Sequence, residues 1–169
     1  MNKEIKLALQ SDHMDDNIVA KPFVGSPVNP WNTMHWHDFY EIDIILSGTG
    51  TTMINGKDHL LSEGTVSFLT PSDFHDITSS GLSIFNIQFS EDCVDHEILN
   101  ALIHMNSRIC HLDQAQTESI CKLCALLETA HMNTAYLKIY YQKILESILL
   151  IFLQNVQATG KKSTQTEPD

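Results

Sequence analysis

Between residues 40 and 89 one pattern recurs: a short apolar run, then residues that turn the chain. The runs fall at 40–46, 51–54, 59–61, 65–69, 74–78 and 82–89. They are separated by Ser47-Gly48-Thr49-Gly50, Asn55-Gly56, Glu63-Gly64, Pro71-Ser72-Asp73 and Ser79-Ser80-Gly81. Runs this short, rich in isoleucine and partly alternating, predict strands, and their even spacing predicts an antiparallel barrel or sandwich. Asn55-Gly56 is the strongest short hairpin signal, because both positions tolerate positive φ. Ahead of this block, residues 1–20 read as a polar arm and 18–24 as a strand interrupted by Pro22. Residues 25–32, with Pro27 and Pro30, read as a loop.

After Ser90 the period lengthens. Residues 94–105 predict a short helix with Leu99, Leu102 and Ile103 on one face. Asp113 and Gln116 form a capping-box pair at the start of a second helix, whose Ile120, Leu123, Cys124 and Leu127 make one stripe. Residues 130–134 break that helix, and a longer one is predicted over 135–157. Leu137, Tyr141, Ile144, Ile148 and Ile151 follow a roughly heptad rhythm there and are the candidate dimer contacts. Residues 160–169 read as a polar, unstructured end.

Composition removes several functions. With 169 residues and 43% hydrophobic content the chain can bury a proper core. A net charge of -11 with scattered lysines would repel duplex DNA, which is bound through a basic stripe. The longest apolar cluster, 148–153, is far short of the roughly 20 residues that span a bilayer, so no membrane partner is expected. Residues 1–10 lack the apolar run of a secretory signal, and Cys93, Cys110, Cys121 and Cys124 read as reduced thiols of a cytoplasmic protein. Cys121-x-x-Cys124 lies within a predicted helix without the flanks of a redox motif, so Cys124 is assigned to the core. No nucleophile elbow, phosphate loop or helical zinc motif is present.

The candidate site gathers His35, His37, Glu41 and His75. Alternation along a strand puts His35 and His37 on one face, with Glu41 in phase if that strand is continuous. His75 is expected from a different strand at the far side of the sheet. Three imidazoles and a carboxylate suit a divalent transition metal such as Zn, Ni, Fe or Mn. The competing reading has the histidines bonding backbone or solvent at a barrel mouth. Trp31 and Trp36 are candidates to stack on a ring-shaped ligand, although Trp36 points away from its flanking histidines if extended. Tyr40, Phe68, Phe74 and Phe85 are expected in the core, and Tyr136, Tyr140 and Tyr141 in helix packing. His13, His59, His96, His104, His111 and His131 are read as surface residues.

His35-x-His37-x-x-x-Glu41 followed by Gly48 resembles the first cupin motif, and Gly64, Pro71 and His75 resemble the second. The run His35-Trp36-His37-Asp38-Phe39-Tyr40-Glu41-Ile42 and the later Ile54-Asn55-Gly56 are most similar to the N-terminal sensor domain of AraC-type transcriptional regulators. Two positions depart from the cupin pattern: Asn29 and Asp73 each stand where it expects glycine. The resemblance implies a cupin-type double-stranded β-helix barrel followed by a pair of helices. It divides the chain into an arm and barrel (1–92), a helical dimerisation and support region (93–157), and a disordered tail or linker start (158–169). It also implies a small-molecule effector, and the scarcity of basic residues near the site suits a sugar or other neutral polar compound better than a highly anionic one. His35, Trp36, His37, Glu41 and His75 would be its ligand-binding residues. A homodimer is implied, with DNA bound only through a C-terminal helix-turn-helix region that this chain lacks, as either a truncated chain or a stand-alone sensor. The alternative is a small metal-dependent cupin enzyme, an oxygenase or isomerase, holding its ion with the same four residues.

Overall fold

Asn55 and Gly56 turn the chain at φ 51° and 82°, and the strands they join pair without a slip from Thr49↔Ser62 to Ile54↔Lys57. The computed structural model describes residues 6–9, 18–24, 33–129 and 136–163. Its strands are β1 (Lys6–Ala8), β2 (Ile18–Val24), β3 (His35–His37), β4 (Tyr40–Ser47), β5 (Thr49–Ile54), β6 (Lys57–Ser62), β7 (Thr65–Leu69), β8 (His75–Ser79), β9 (Ser83–Phe89) and β10 (Ile109–His111). They form two five-stranded sheets, ordered β1-β3-β8-β5-β6 and β10-β7-β4-β9-β2. The inner faces meet in two different ways. At one end Ile45 and Ile84 of the second sheet pack with Leu61 of the first and with Leu82. At the other end the inward side chains are polar and make the site described below.

The second sheet is covered on its outer face as well. Ile42, Ile44, Val66, Phe68, Phe85, Ile87 and Phe89 share one core with the helices. Burial on both faces explains why β7 is buried at every position and why β4 is buried from Glu41 to Ile45, polar residues included. The covering helices are α1 (His96–Ile103), α2 (Gln114–Glu128) and α3 (Leu137–Ser163). α1 follows a 3-10 turn, Glu91–Cys93, and is capped by Asp95, which accepts from the Glu97 amide. α2 carries the expected reciprocal cap, with Gln116 N donating to Asp113 Oδ1 at 2.9 Å and Asp113 N donating to Gln116 Oε1 at 3.1 Å. Its Ile120, Cys124 and Leu127 are buried.

Several expectations are corrected. Pro22 does not interrupt β2, because β2 lies at the sheet edge, where a missing amide donor costs nothing on the open side. Thr49 and Gly50 belong to β5, leaving Gly48, at φ 88°, as the turn glycine. Ile103 and Phe74 are 38% and 37% exposed rather than core. α3 ends at Ser163, so 158–163 is helix and not a disordered tail. Within α3, Ile144 and Ile148 are spent inside the domain's own core, because sheet and α2 need a wide apolar cover. Tyr141 and Ile151 pack partly against that core, and Leu137 is half-buried. The apolar side chains that α3 turns outward are Ile139 and Leu150, 52% and 45% exposed. The predicted break at 130–134 lies outside the described residues. No described helix is long and apolar enough to cross a membrane.

Candidate functional site

β3 is three residues long, and its alternation decides the site. His35 and His37 turn inward and are buried, while Trp36 between them turns outward and is 41% exposed. Trp36 therefore does not line the interior, which corrects its assignment as a ligand contact. Trp31 lies outside the described residues. The strand does not run on to Glu41 as expected: Asp38 and Phe39 bend the chain out of the first sheet and into the second. Glu41 nonetheless faces the histidines, from across the barrel rather than along one strand. His75 is not at the far side of the sheet. β8 lies beside β3, with His35 and His75 directly opposite each other.

Four predicted residues thus converge. Glu41 Oε1 lies 3.5 Å from His75 Nε2 and Glu41 Oε2 lies 3.9 Å from His37 Nε2. The imidazole centroids of His35 and His37 are 4.2 and 5.3 Å from that of His75. Two backbone carbonyls fix the tautomers. His35 Nδ1 donates to Thr33 O at 2.9 Å and His37 Nδ1 donates to Phe39 O at 2.7 Å. The His37 ring also stacks on Phe39, centroids 4.2 Å apart and planes within 6°. Neutral His37 then directs the Nε2 lone pair inward, and this atom and His75 Nδ1 are buried without a hydrogen-bond partner among the described residues. Donation from Nδ1 is the arrangement that prepares an imidazole for a metal. Donor atoms of His37, Glu41 and His75 lie within 4.8 Å of one another, so the residues fit a divalent ion; His35 falls outside this set.

Three more polar residues extend the site in a way the motif reading missed. Register places Gln88 opposite Glu41 and Asn86 opposite Asp43 on β9 and β4. Gln88 Nε2 donates to Glu41 Oε2 at 3.4 Å, and Asn86 Nδ2 donates to Asp43 Oδ1 at 2.8 Å. The available signal was the alternation itself: Glu41-Ile42-Asp43 and Asn86-Ile87-Gln88 each put two polar groups on one face. At the bend, an open cleft of about 500 Å³ is lined in part by Asp38, Phe39, Glu91 and Asp92, with Phe39 also backing His37.

The charges of this interior offset one another. Burial pushes Glu41 upward, but the hydrogen bond from His75 and the nearby imidazoles outweigh it and hold the carboxyl below its usual range. Burial pushes His75 downward, but its bond to Glu41 and the Glu41, Asp43 and Asp73 charges raise it above the usual value. The proton of that pair therefore sits on His75. Desolvation lowers His37, and with the His75 charge it takes His35 down to about 4. Burial, then repulsion from Glu41, pushes Asp43 up to about 8. These shifts favour an ion pair between Glu41 and His75, uncharged His35 and His37 rings and a protonated Asp43.

A barrel with a buried polar end, an apolar end and a helical cover is an architecture suited to holding a small molecule. The chain belongs to the family described as AraC-like ligand binding domain, whose profile matches residues 29–144. Over 151 residues it is 24% identical to the uncharacterized HTH-type transcriptional regulator YfiF of Bacillus subtilis, covering 85% of this chain and 48% of that protein. Over 41 residues it is 46% identical to the HTH-type transcriptional activator RhaS of Escherichia fergusonii, covering 24% of this chain and 15% of that one. The chain thus spans less than half the length of these relatives. Among solved structures it resembles a cupin protein from Bacteroides fragilis at 20% identity and TM-score 0.40, covering 48% of this chain and 73% of that one. It likewise resembles a predicted oxalate decarboxylase from Thermotoga maritima at 24% identity and TM-score 0.39, covering 47% and 73%.

Proposed function

We propose that this AraC-type sensor domain binds a small, uncharged, polar effector against His37, Glu41, His75, Asp43, Asn86 and Gln88. A carbohydrate or other polyol suits the site best. The observation that carries the reading is the offset charge of a buried interior that keeps both donors and acceptors in place. A strongly anionic ligand would need an uncommitted guanidinium or ammonium, and the only arginine, Arg108, is engaged by Asp73. Occupancy would favour one arrangement of barrel and helices and so change how attached DNA-binding regions are placed. With a net charge of -11 this domain is itself unsuited to duplex DNA, and DNA contact is assigned to a helix-turn-helix region of the kind its relatives' names carry. A homodimer through the outward face of α3, around Ile139 and Leu150 with the partly exposed Leu137, Tyr141 and Ile151, fits the exposure of those side chains. The free thiols fit a cytoplasmic setting, with Cys110 and Cys124 pushed up to about 12 by burial.

The test is a thermal-shift screen of neutral sugars, polyols and matched anionic compounds, against wild type and a Gln88→Leu variant. An effector at 100 times its Kd stabilises by about 2.7 kcal/mol, a shift of several degrees for a domain of this size. The reading fails if only anionic compounds shift the wild type, or if the shift persists unchanged in Gln88→Leu.

A metal-dependent cupin enzyme, an oxygenase or isomerase, is the second reading, favoured by the donor set itself. His37, Glu41 and His75 would hold the zinc, nickel, iron or manganese, and a bound ion would supply Lewis-acid polarisation of an oxygen ligand. His37 serves such a role through its Phe39 carbonyl bond, which keeps Nε2 aimed inward.

A further inference from the structure

The chain contains one arginine, Arg108, in the connection between α1 and β10. Its Nε donates to Asp73 Oδ2 at 3.0 Å. Its terminal nitrogen donates to the carbonyls of Leu102 and Ile103 at 3.2 and 3.4 Å, the last residues of α1. Its own carbonyl accepts from the Phe68 amide at 2.9 Å, which fixes the backbone against β7.

Asp73 is equally committed. It is 2% exposed, and its Oδ2 also accepts from Thr70 N at 2.8 Å and Thr70 Oγ1 at 2.7 Å. Its Oδ1 accepts from Asn55 Nδ2 at 2.6 Å, and Asn55 Oδ1 accepts from Phe74 N at 3.1 Å. These bonds define the turn that delivers His75, two residues on. One planar guanidinium therefore holds the turn that presents His75 with one edge and the end of a covering helix with another. α1 in turn shares its Leu99 and Leu102 with the core that contains α3. A lysine at this position reaches a carboxylate as a point charge but has no rigid fork to hold two partners at fixed geometry.

We propose that Arg108 is a positioning residue that transmits a change at His75 to α1, and so couples the interior site to the helical layer. The proposal rests on the reading that the interior is where the effector binds. Its test disturbs the site by substitution instead of by ligand, so it can fail while that reading stands. Amide hydrogen exchange, read by mass spectrometry over peptides from 70–76 and 96–105, is compared for wild type and Glu41→Gln. The same pair is then measured in Arg108→Lys and Arg108→Gln backgrounds. With Arg108 in place, Glu41→Gln is expected to speed exchange on the order of 10-fold in both the turn and α1, as loss of a charge-assisted bond would. With Arg108→Lys the turn still responds and α1 does not. Arg108→Gln speeds the turn on its own and likewise disconnects α1. If α1 responds to Glu41→Gln equally in the Lys background, or does not respond in the wild-type background, the proposal is overturned.

Discussion

Replacing Asp43 by asparagine should make this domain more stable at neutral pH, by an amount that grows with pH. Asp43 is 3% exposed, accepts from Asn86 at 2.8 Å and is pushed up to about 8 by burial and by Glu41. In the unfolded chain the same carboxyl would lose its proton near 3.8. Between those values the folded state holds a proton that the unfolded state has released, so stability falls as pH rises, by roughly 1.4 kcal/mol per unit. Over the span up to pH 7 that amounts to about 4 kcal/mol at full effect. Asparagine has the shape of the protonated acid. Its oxygen can accept from Asn86 and its amide can face Glu41, with no proton to retain. Urea unfolding of both proteins at pH 5, 6, 7 and 8 measures the difference. The gain of Asp43→Asn is expected to be about 2 kcal/mol at pH 5, to widen to about 4 at pH 7, and to level off near pH 8. The raised His75 value also costs stability as pH climbs through it, and this loss is smaller in the variant because Asp43 helps raise His75, so it widens the difference in the same direction. Parallel stability curves over this range, or a wild type more stable than the variant at pH 8, would refute the argument.

Four other outcomes follow from the geometry. Gly56→Ala meets open space at φ 82° and should cost about 1 kcal/mol, whereas Gly48→Ala places a Cβ 2.1 Å from Gly81 O at φ 88° and should cost several times more in thermal unfolding. Metal content by mass spectrometry on untagged protein should drop in the His37→Ala, His75→Ala double variant if these residues hold an ion; metal that survives the double substitution is bound elsewhere. Ile148→Ala should destabilise by roughly 2–5 kcal/mol because the side chain is fully buried. Ile139→Lys with Leu150→Lys should leave stability nearly unchanged but lower the mass in sedimentation velocity, and an unchanged mass would remove this face from the dimer.

Features written in neighbouring residues could be read directly. Asn55-Gly56, the Asp113–Gln116 cap and the inward pairing of His35 with His37 each depend on a few positions in a row. The AraC-type resemblance, drawn from residues around His35 and Gly64, is borne out by the family match. What escaped depends on distant partners. β10 is three residues with no pattern of its own, and exists because β7 offers it an edge at Cys110↔Val66. The adjacency of His75 to His35 and the meeting of Asp43 with Asn86 are products of strand order, which local alternation does not encode. Arg108 carries no local signal in the sequence, because its partners lie in three separate segments.

α3 is 27 residues long, about 40 Å of rod at 1.5 Å per residue. Between Ile144 and Val156 its buried side chains join the domain core, and its helical backbone runs on to Ser163. A rod of this length works as a lever. A tilt of about 5° about its middle, small enough to be absorbed by side-chain repacking, swings each end by roughly 2 Å, within the range of shifts that helical switches use. The barrel therefore need not deform visibly for a change within it to be felt, since a slight rotation of α3 already becomes a displacement at its ends.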